Sequence, residues 1–266
     1  MLHALAHMKF AVLGSGSRGN AAVVAMDEMM LLIDAGLSAK QLNQRMELLD
    51  IKPSALAGIL ITHEHGDHVR GLKILLKQNP DLHVYATAAT ARVVREVGIR
   101  EGHWHVFEAG QVFSVGEAQI TSFAIQHDAV DPVGFVISNK NKRLGFLSDA
   151  GCVPRSVVEH LRELSGIFLE ANYDVEMLEM DLKRPWAIKQ RISSRHGHLS
   201  NEQVAELLTE IAHPQMSHII LGHLSSDCNH PQTAKQAVSE SLQEINCAHL
   251  PITCILAESA SSWFSI

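Results

Sequence analysis

The stretch ITHEHGDHVRG, residues 61–71, places His63, His65, Asp67 and His68 within six positions. Three imidazoles and a carboxylate that close together can converge on one borderline divalent cation. A single loop histidine is usually a surface residue. The spacing H-x-H-x-D-H directly after an apolar run is poorly explained that way. Four more residues of ligand type stand at or just past the end of an apolar run. They are Asp34 after LLI, His127 after FAIQ, Asp149 after GFLS and His223 after IILG. Each alone reads as a strand-end turn residue. Together they supply the donors that two cations need. Two such cations lower the pKa of a shared water, so hydroxide forms near neutral pH. A metal-bridging hydroxide of this kind attacks phosphorus or a carbonyl carbon, and the cations hold the substrate oxygen as charge develops.

These side chains need sheet edges to hold them. Apolar, β-prone runs at 9–14, 21–26, 29–36 and 58–62 predict strands. Further runs at 82–87, 104–109, 118–125, 133–138, 143–148, 166–171, 218–223 and 251–257 predict more. Helical spacing predicts helices over 38–49, 69–77, 200–211 and 231–245, and Ser200 with Gln203 fits a capping box. Gly14, Gly16 and Gly19 match G-x-G-x-x-G, but the next element reads as a strand, so a hairpin turn is expected rather than a dinucleotide site. Strands dominate the middle and helices flank strands in each half. This predicts an α/β (α+β) fold in one domain, 1–266, with two packed sheets and helices outside.

The 266 residues are 46% hydrophobic and 19% charged, an ordinary soluble composition, and 17 of them are histidine. The net charge of −7 argues against a general nucleic-acid coat but leaves room for a local basic patch. Such a patch lies at 183–198, KRPWAIKQRISSRHGH, where Trp186 stands among five Lys and Arg residues. A charge run by itself is usually a solvated face. Basic groups can also neutralise phosphates while an aromatic ring stacks on a base. Cys152, Cys228, Cys247 and Cys254 show no C-x-x-C spacing and read as reduced thiols of a cytoplasmic protein. No run is long and apolar enough for a membrane helix, and the first ten residues lack the basic start of a signal peptide. Met8 is an alternative start, which leaves the status of residues 1–7 open.

The order Asp34, then His63-x-His65-x-Asp67-His68, then His127, Asp149 and His223 resembles the metallo-β-lactamase superfamily. The resemblance covers nearly the whole chain. It implies a four-layer αββα sandwich with two divalent ions along one edge, Zn²⁺ first and Mn²⁺ second. It gives His63, His65 and His127 to one ion. Asp67, His68 and His223 go to the other, and Asp149 bridges both. Asp34 would orient the histidine-rich loop by hydrogen bonds. Asp67 would also help orient the nucleophile.

The element GHLS, 197–200, resembles the GHxS element of the β-CASP nucleases. That likeness implies that His198 contacts the scissile phosphate or protonates the leaving oxygen. Arg195 and Ser200 would lie beside it on the substrate side, and Ser200 doubles as a helix cap. The interval from Asp149 to His223 is too short for the extra domain of those enzymes, so 172–198 has room only for a short cap. GSGSRGN, DAGLS, FLEANYDVEML, GHLSN and LGHLSSDCNHP together resemble the compact YycJ/WalJ group. The implied function is a 5′-to-3′ exonuclease on single-stranded DNA, linked to DNA repair. A small-molecule hydrolase, such as a glyoxalase-like thioesterase or a cyclic phosphodiesterase, is the alternative. A non-catalytic metal-binding module is a third. Nothing marks an oligomeric face.

Overall fold

The computed structural model describes residues 8–27, 29–256 and 259–266. The question about residues 1–7, and Ala257 at the end of the last expected strand, lie outside them. The first sheet contains β1 (Met8–Gly14), β2 (Ala21–Met26), β3 (Met29–Ile33), β4 (Leu56–Leu60), β5 (His83–Thr87) and β6 (His103–Phe107). The second contains β7 (Val112–Val115), β8 (Ala118–Ala124), β9 (Val133–Asn139), β10 (Lys142–Leu147), β11 (Gly166–Glu170), β12 (His218–Gly222) and β13 (Ile252–Cys254). A last short strand, β14 (Phe264–Ser265), returns to pair antiparallel with β1. Among the described residues this makes two seven-stranded sheets, each running in strand order after that return. In both, an antiparallel portion gives way to a parallel one, at β3 and at β10.

Alternation along each strand builds the layers. Phe10, Val12, Val24, Leu31 and Ile33 of the first sheet meet Phe135, Phe146, Phe168 and Ile220 of the second in one apolar cluster. Phe10 lies 6.4 Å from Phe146 and 5.9 Å from Phe168, and the latter two rings stack at 4.8 Å. Such ring pairs add about 0.5–1.5 kcal/mol each beyond the area they bury.

The opposite faces receive helices. On the first sheet these are α1 (Ala39–Glu47), α2 (Gly66–Val69), α3 (Leu72–Gln78) and α4 (Ala88–Glu96). Leu42, Met46, Leu72, Leu75 and Val94 bury against Val23, Leu32 and Ile59 there. On the second they are α5 (Arg155–His160), α8 (Asn201–Ile211) and α9 (Pro231–Glu244). Their Val157, Val204, Leu208, Val238 and Leu242 cover Leu147, Ile167, Leu169 and Ile219. The order is helices, sheet, sheet, helices: the αββα sandwich. Between β11 and α8 the chain forms α6 (Val175–Met180) and α7 (Trp186–Ile192). Among the described residues no helix is long and apolar enough to cross a membrane.

One predicted helix differs from the reading of the sequence, and one predicted turn agrees with it. The helix expected over 69–77 is two helices, α2 and α3, broken at Gly71, whose N–H donates to the Ala35 carbonyl at 2.8 Å. The Gly-rich turn is a β1/β2 hairpin, as expected, with Gly16 and Gly19 at positive φ. Its Ser15 and Asn20 reach across to the site described next.

Candidate active site

In a sheet with parallel strands, the carboxyl ends of those strands face the same way. Asp34 follows β3, His63 follows β4, Asp149 follows β10, Glu170 ends β11 and His223 follows β12. Both sheets therefore deliver chemistry to one edge. Asp34, Asp149 and His223 sit at positive φ, 58°, 57° and 54°. For non-glycine residues that backbone is uncommon, though Asp and His tolerate it best. It turns each side chain inward immediately after its strand.

The side chains gather in three overlapping groups, with potential ligand atoms within 4.8 Å of one another in each. One is His63, His65 and His127. The second is His63, His68 and Asp149. The third is Asp149, Glu170, His198 and His223. His63 Nε2 lies 3.1 Å from His65 Nδ1. Asp149 lies between the groups, 3.2 Å from His68 Nε2 and 3.4 Å from His223 Nδ1. Asp67 is more open: its carboxylate is 3.8 Å from His68 Nε2 and accepts from the Asn20 amide at 3.4 Å. Asp34 is fully buried beneath the loop. It accepts from the Thr62 N–H and hydroxyl, each at 2.8 Å, and contacts His68 Nδ1 at 2.8 Å. His127 is oriented from the other side, Nδ1 lying 3.0 Å from the Gly197 carbonyl.

The donor set fits divalent cations. Burial, reinforced by His68, holds His63 well below the usual imidazole range, and burial also lowers His127, so both keep a lone pair to offer. Burial would raise the Asp149 carboxyl, but His223 and His68 outweigh it and hold it well below the carboxylate range. A buried carboxylate needs positive charge around it, and cations among these imidazoles would supply it. Burial would lower His198, but Glu170 outweighs it and raises that imidazole to about 9. His198 Nδ1 is 2.6 Å from Glu170 Oε1, though not aligned for a hydrogen bond.

A cleft of about 300 Å³ opens over the groups. His65, Asp67, His127, Asp149, His198 and His223 line it. So do Arg184 and Arg191, from the segment carrying α6 and α7. Arg195 is exposed and lies outside the lining, so the structure does not bring it to the cleft. Ser200 is buried and its hydroxyl accepts from the Gln203 N–H as the cap of α8, so that it too is absent from the lining.

Arg191 contacts Asp128 at 2.6 Å, and Arg184 contacts Asp181 at 2.6 Å and Asp227 at 3.1 Å. Glu170 was missed from sequence, although it carries the same signal as the others: an acidic residue closing an apolar run, GIFLE. Gly197 makes the turn into His198 tight, since an added methyl would overlap the Ile192 carbonyl. Gly197→Ala is expected to destabilise the fold by about 1–3 kcal/mol. A denaturant midpoint equal to wild type would show that the turn has slack.

The deciding comparison is with a domain family described as the beta-lactamase superfamily domain, which matches residues 30–223. The chain belongs to the metallo-β-lactamase superfamily. Two curated relatives are exodeoxyribonucleases by name. YycJ of Bacillus anthracis is 36% identical over 239 residues, covering 89% of this chain and 90% of the relative. WalJ of Streptococcus pneumoniae serotype 2 is 34% identical over 240 residues, covering 89% and 88%. The metallo-β-lactamase-fold protein YhfI of Bacillus subtilis superposes with a TM-score of 0.77 over 98% of this chain and 100% of its own, at 15% identity, which speaks for the fold alone. As a superfamily member with this donor set, the protein is a metal-dependent hydrolase.

Proposed function

We propose that the protein is a cytoplasmic, one-domain nuclease that hydrolyses the phosphodiester bonds of DNA, working 5′ to 3′ on single strands. The observation that carries this reading is His198 beside the buried Glu170 at the edge of the donor groups, in a cleft bordered by arginines. The names of the YycJ and WalJ relatives support it.

Two divalent ions, Zn²⁺ or Mn²⁺, held by His63, His65 and His127 and by Asp67, His68 and His223, with Asp149 between, would supply Lewis acidity and activated water. The chain's own groups do the rest. His198, charged at neutral pH, donates to a phosphate oxygen or gives its proton to the leaving oxygen, and Glu170 keeps it charged. Asp67, open to the cleft, orients the water nucleophile. Arg191 and Asp128 are both largely exposed, and such a pair contributes only about 0–1 kcal/mol. An incoming phosphate can therefore replace Asp128 at little cost. Trp186, 73% exposed on α7, offers a face for a base.

The same pairing also favours a second reading. With each cleft arginine already facing a carboxylate and a net charge of −7, a small thioester or cyclic phosphodiester is a coherent substrate.

The test is digestion of 5′-labelled single-stranded DNA with Mn²⁺ or Zn²⁺, beside a glutathione thioester and a cyclic phosphodiester. The expected result is early release of labelled nucleotide, abolished by a chelator and slowed by salt. His198→Ala should be slower by about 10²–10⁴-fold. Intact DNA under every metal, with turnover of either small substrate, overturns the nuclease reading. Undiminished cutting by His198→Ala overturns only the role of that residue.

A further inference from the structure

We infer that His83, His103 and His105, at the open edge of the first sheet, form a binding site for one divalent transition-metal ion, separate from the cleft. None of the three lines the cleft. Parallel pairing sets His83 beside His103 and Tyr85 beside His105. Alternate residues of a strand share a face, so the three imidazoles project together while Val84 and Ala86 bury on the other side.

His83 Nδ1 and His105 Nε2 are 2.7 Å apart, with ring centroids at 4.9 Å. At most one proton fits between two such nitrogens, so at least one of them presents a lone pair. His103 is the third donor: its ring is 5.4 Å from that of His83. Its nitrogens do not converge on the close pair as the side chain stands, so binding requires this 60% exposed residue to turn inward, away from Asp81 at 4.0 Å. Around an ion at about 2.0–2.1 Å from each nitrogen, the close pair would need to part by only about half an ångström.

The surroundings suit a ligand set. Tyr85 stacks on His105 at 4.8 Å and Phe113 stacks on Tyr85 at 5.6 Å, so that ring already has a fixed orientation. Nitrogen-only donors select Zn²⁺, Ni²⁺ or Cu²⁺ and reject Mg²⁺ and Ca²⁺, which want oxygen. β6 is the last strand of its sheet and pairs on one side only. An ion shared by β5 and β6 would pin that edge.

The experiment is nickel titration of the full chain, read by native mass spectrometry and calorimetry. Wild type should bind one Ni²⁺ more than His83→Ala/His105→Ala. A cleft variant, His63→Ala/His127→Ala, should keep that extra ion. His105→Gln, which keeps a polar side chain on the strand but removes the ring nitrogen and the stack on Tyr85, should lower the nickel count toward that of the doubly substituted edge variant. Because DNA digestion is not the readout, failure here leaves the nuclease reading standing. Equal nickel content in wild type and the doubly substituted edge variant, both folded by circular dichroism, overturns the inference.

Discussion

Asp149→Asn is expected to slow DNA digestion by about a thousandfold or more. Among the described residues Asp149 is the one carboxylate within reach of His68, His198 and His223, at 3.2, 3.6 and 3.4 Å. An amide keeps its shape and accepts its backbone conformation, but it removes the negative charge around which these imidazoles and any bound cations are arranged. The variant should fold and should lose divalent metal on dialysis, measured by elemental analysis. Initial rates within tenfold of wild type, with metal retained, would dismiss a central role for Asp149.

Glu170→Gln is expected to lower kcat by about a hundredfold or more while KM changes little. Its carboxylate is fully buried, 2.6 Å from His198 Nδ1 and 3.1 Å from His223 Nδ1. Its other oxygen accepts from the Ala150 N–H at 3.0 Å, which ties it to the turn holding Asp149. Glutamine retains that hydrogen bond and the volume, so the loss should be chemical rather than structural. Single-turnover digestion at saturating DNA separates the two. A wild-type single-turnover rate would mean that His198 needs no buried partner.

The cleft was legible in the sequence where one local cue carried it. A ligand-type residue closing an apolar run marks Asp34, His63, Asp149 and His223 without knowledge of the tertiary fold, because the end of a buried strand is where a polar side chain can first leave the apolar layer for the sheet edge. Glu170 carries the same cue but looked like an ordinary acidic residue, since only the neighbouring strand shows that it faces two imidazoles. The arginines were harder. Arg191 and Arg195 are four positions apart in one basic run, yet α7 aims the first at the cleft while the second falls after the helix ends. Helices α5, α6 and α7 span six or seven residues each, too short for a clear 3.6-residue repeat, and β7 and β14 are shorter still. Tertiary contacts define these elements, so the sequence alone does not predict them.

The left-handed backbone at Asp34, Asp149 and His223 bears on how the cleft is best dissected. At most positions alanine is the neutral deletion. Here it adds conformational strain to the loss of the side chain, and it would overstate the chemistry being removed. Glycine or asparagine, which accept this geometry, isolate the chemical contribution. The same restriction acts on natural variation. Glutamate at 34 or 149 would carry the right charge but a poorly suited main chain, so a library randomised at these codons and selected for digestion should return a far narrower alphabet than one randomised at His63 or His65, where the backbone makes no such demand.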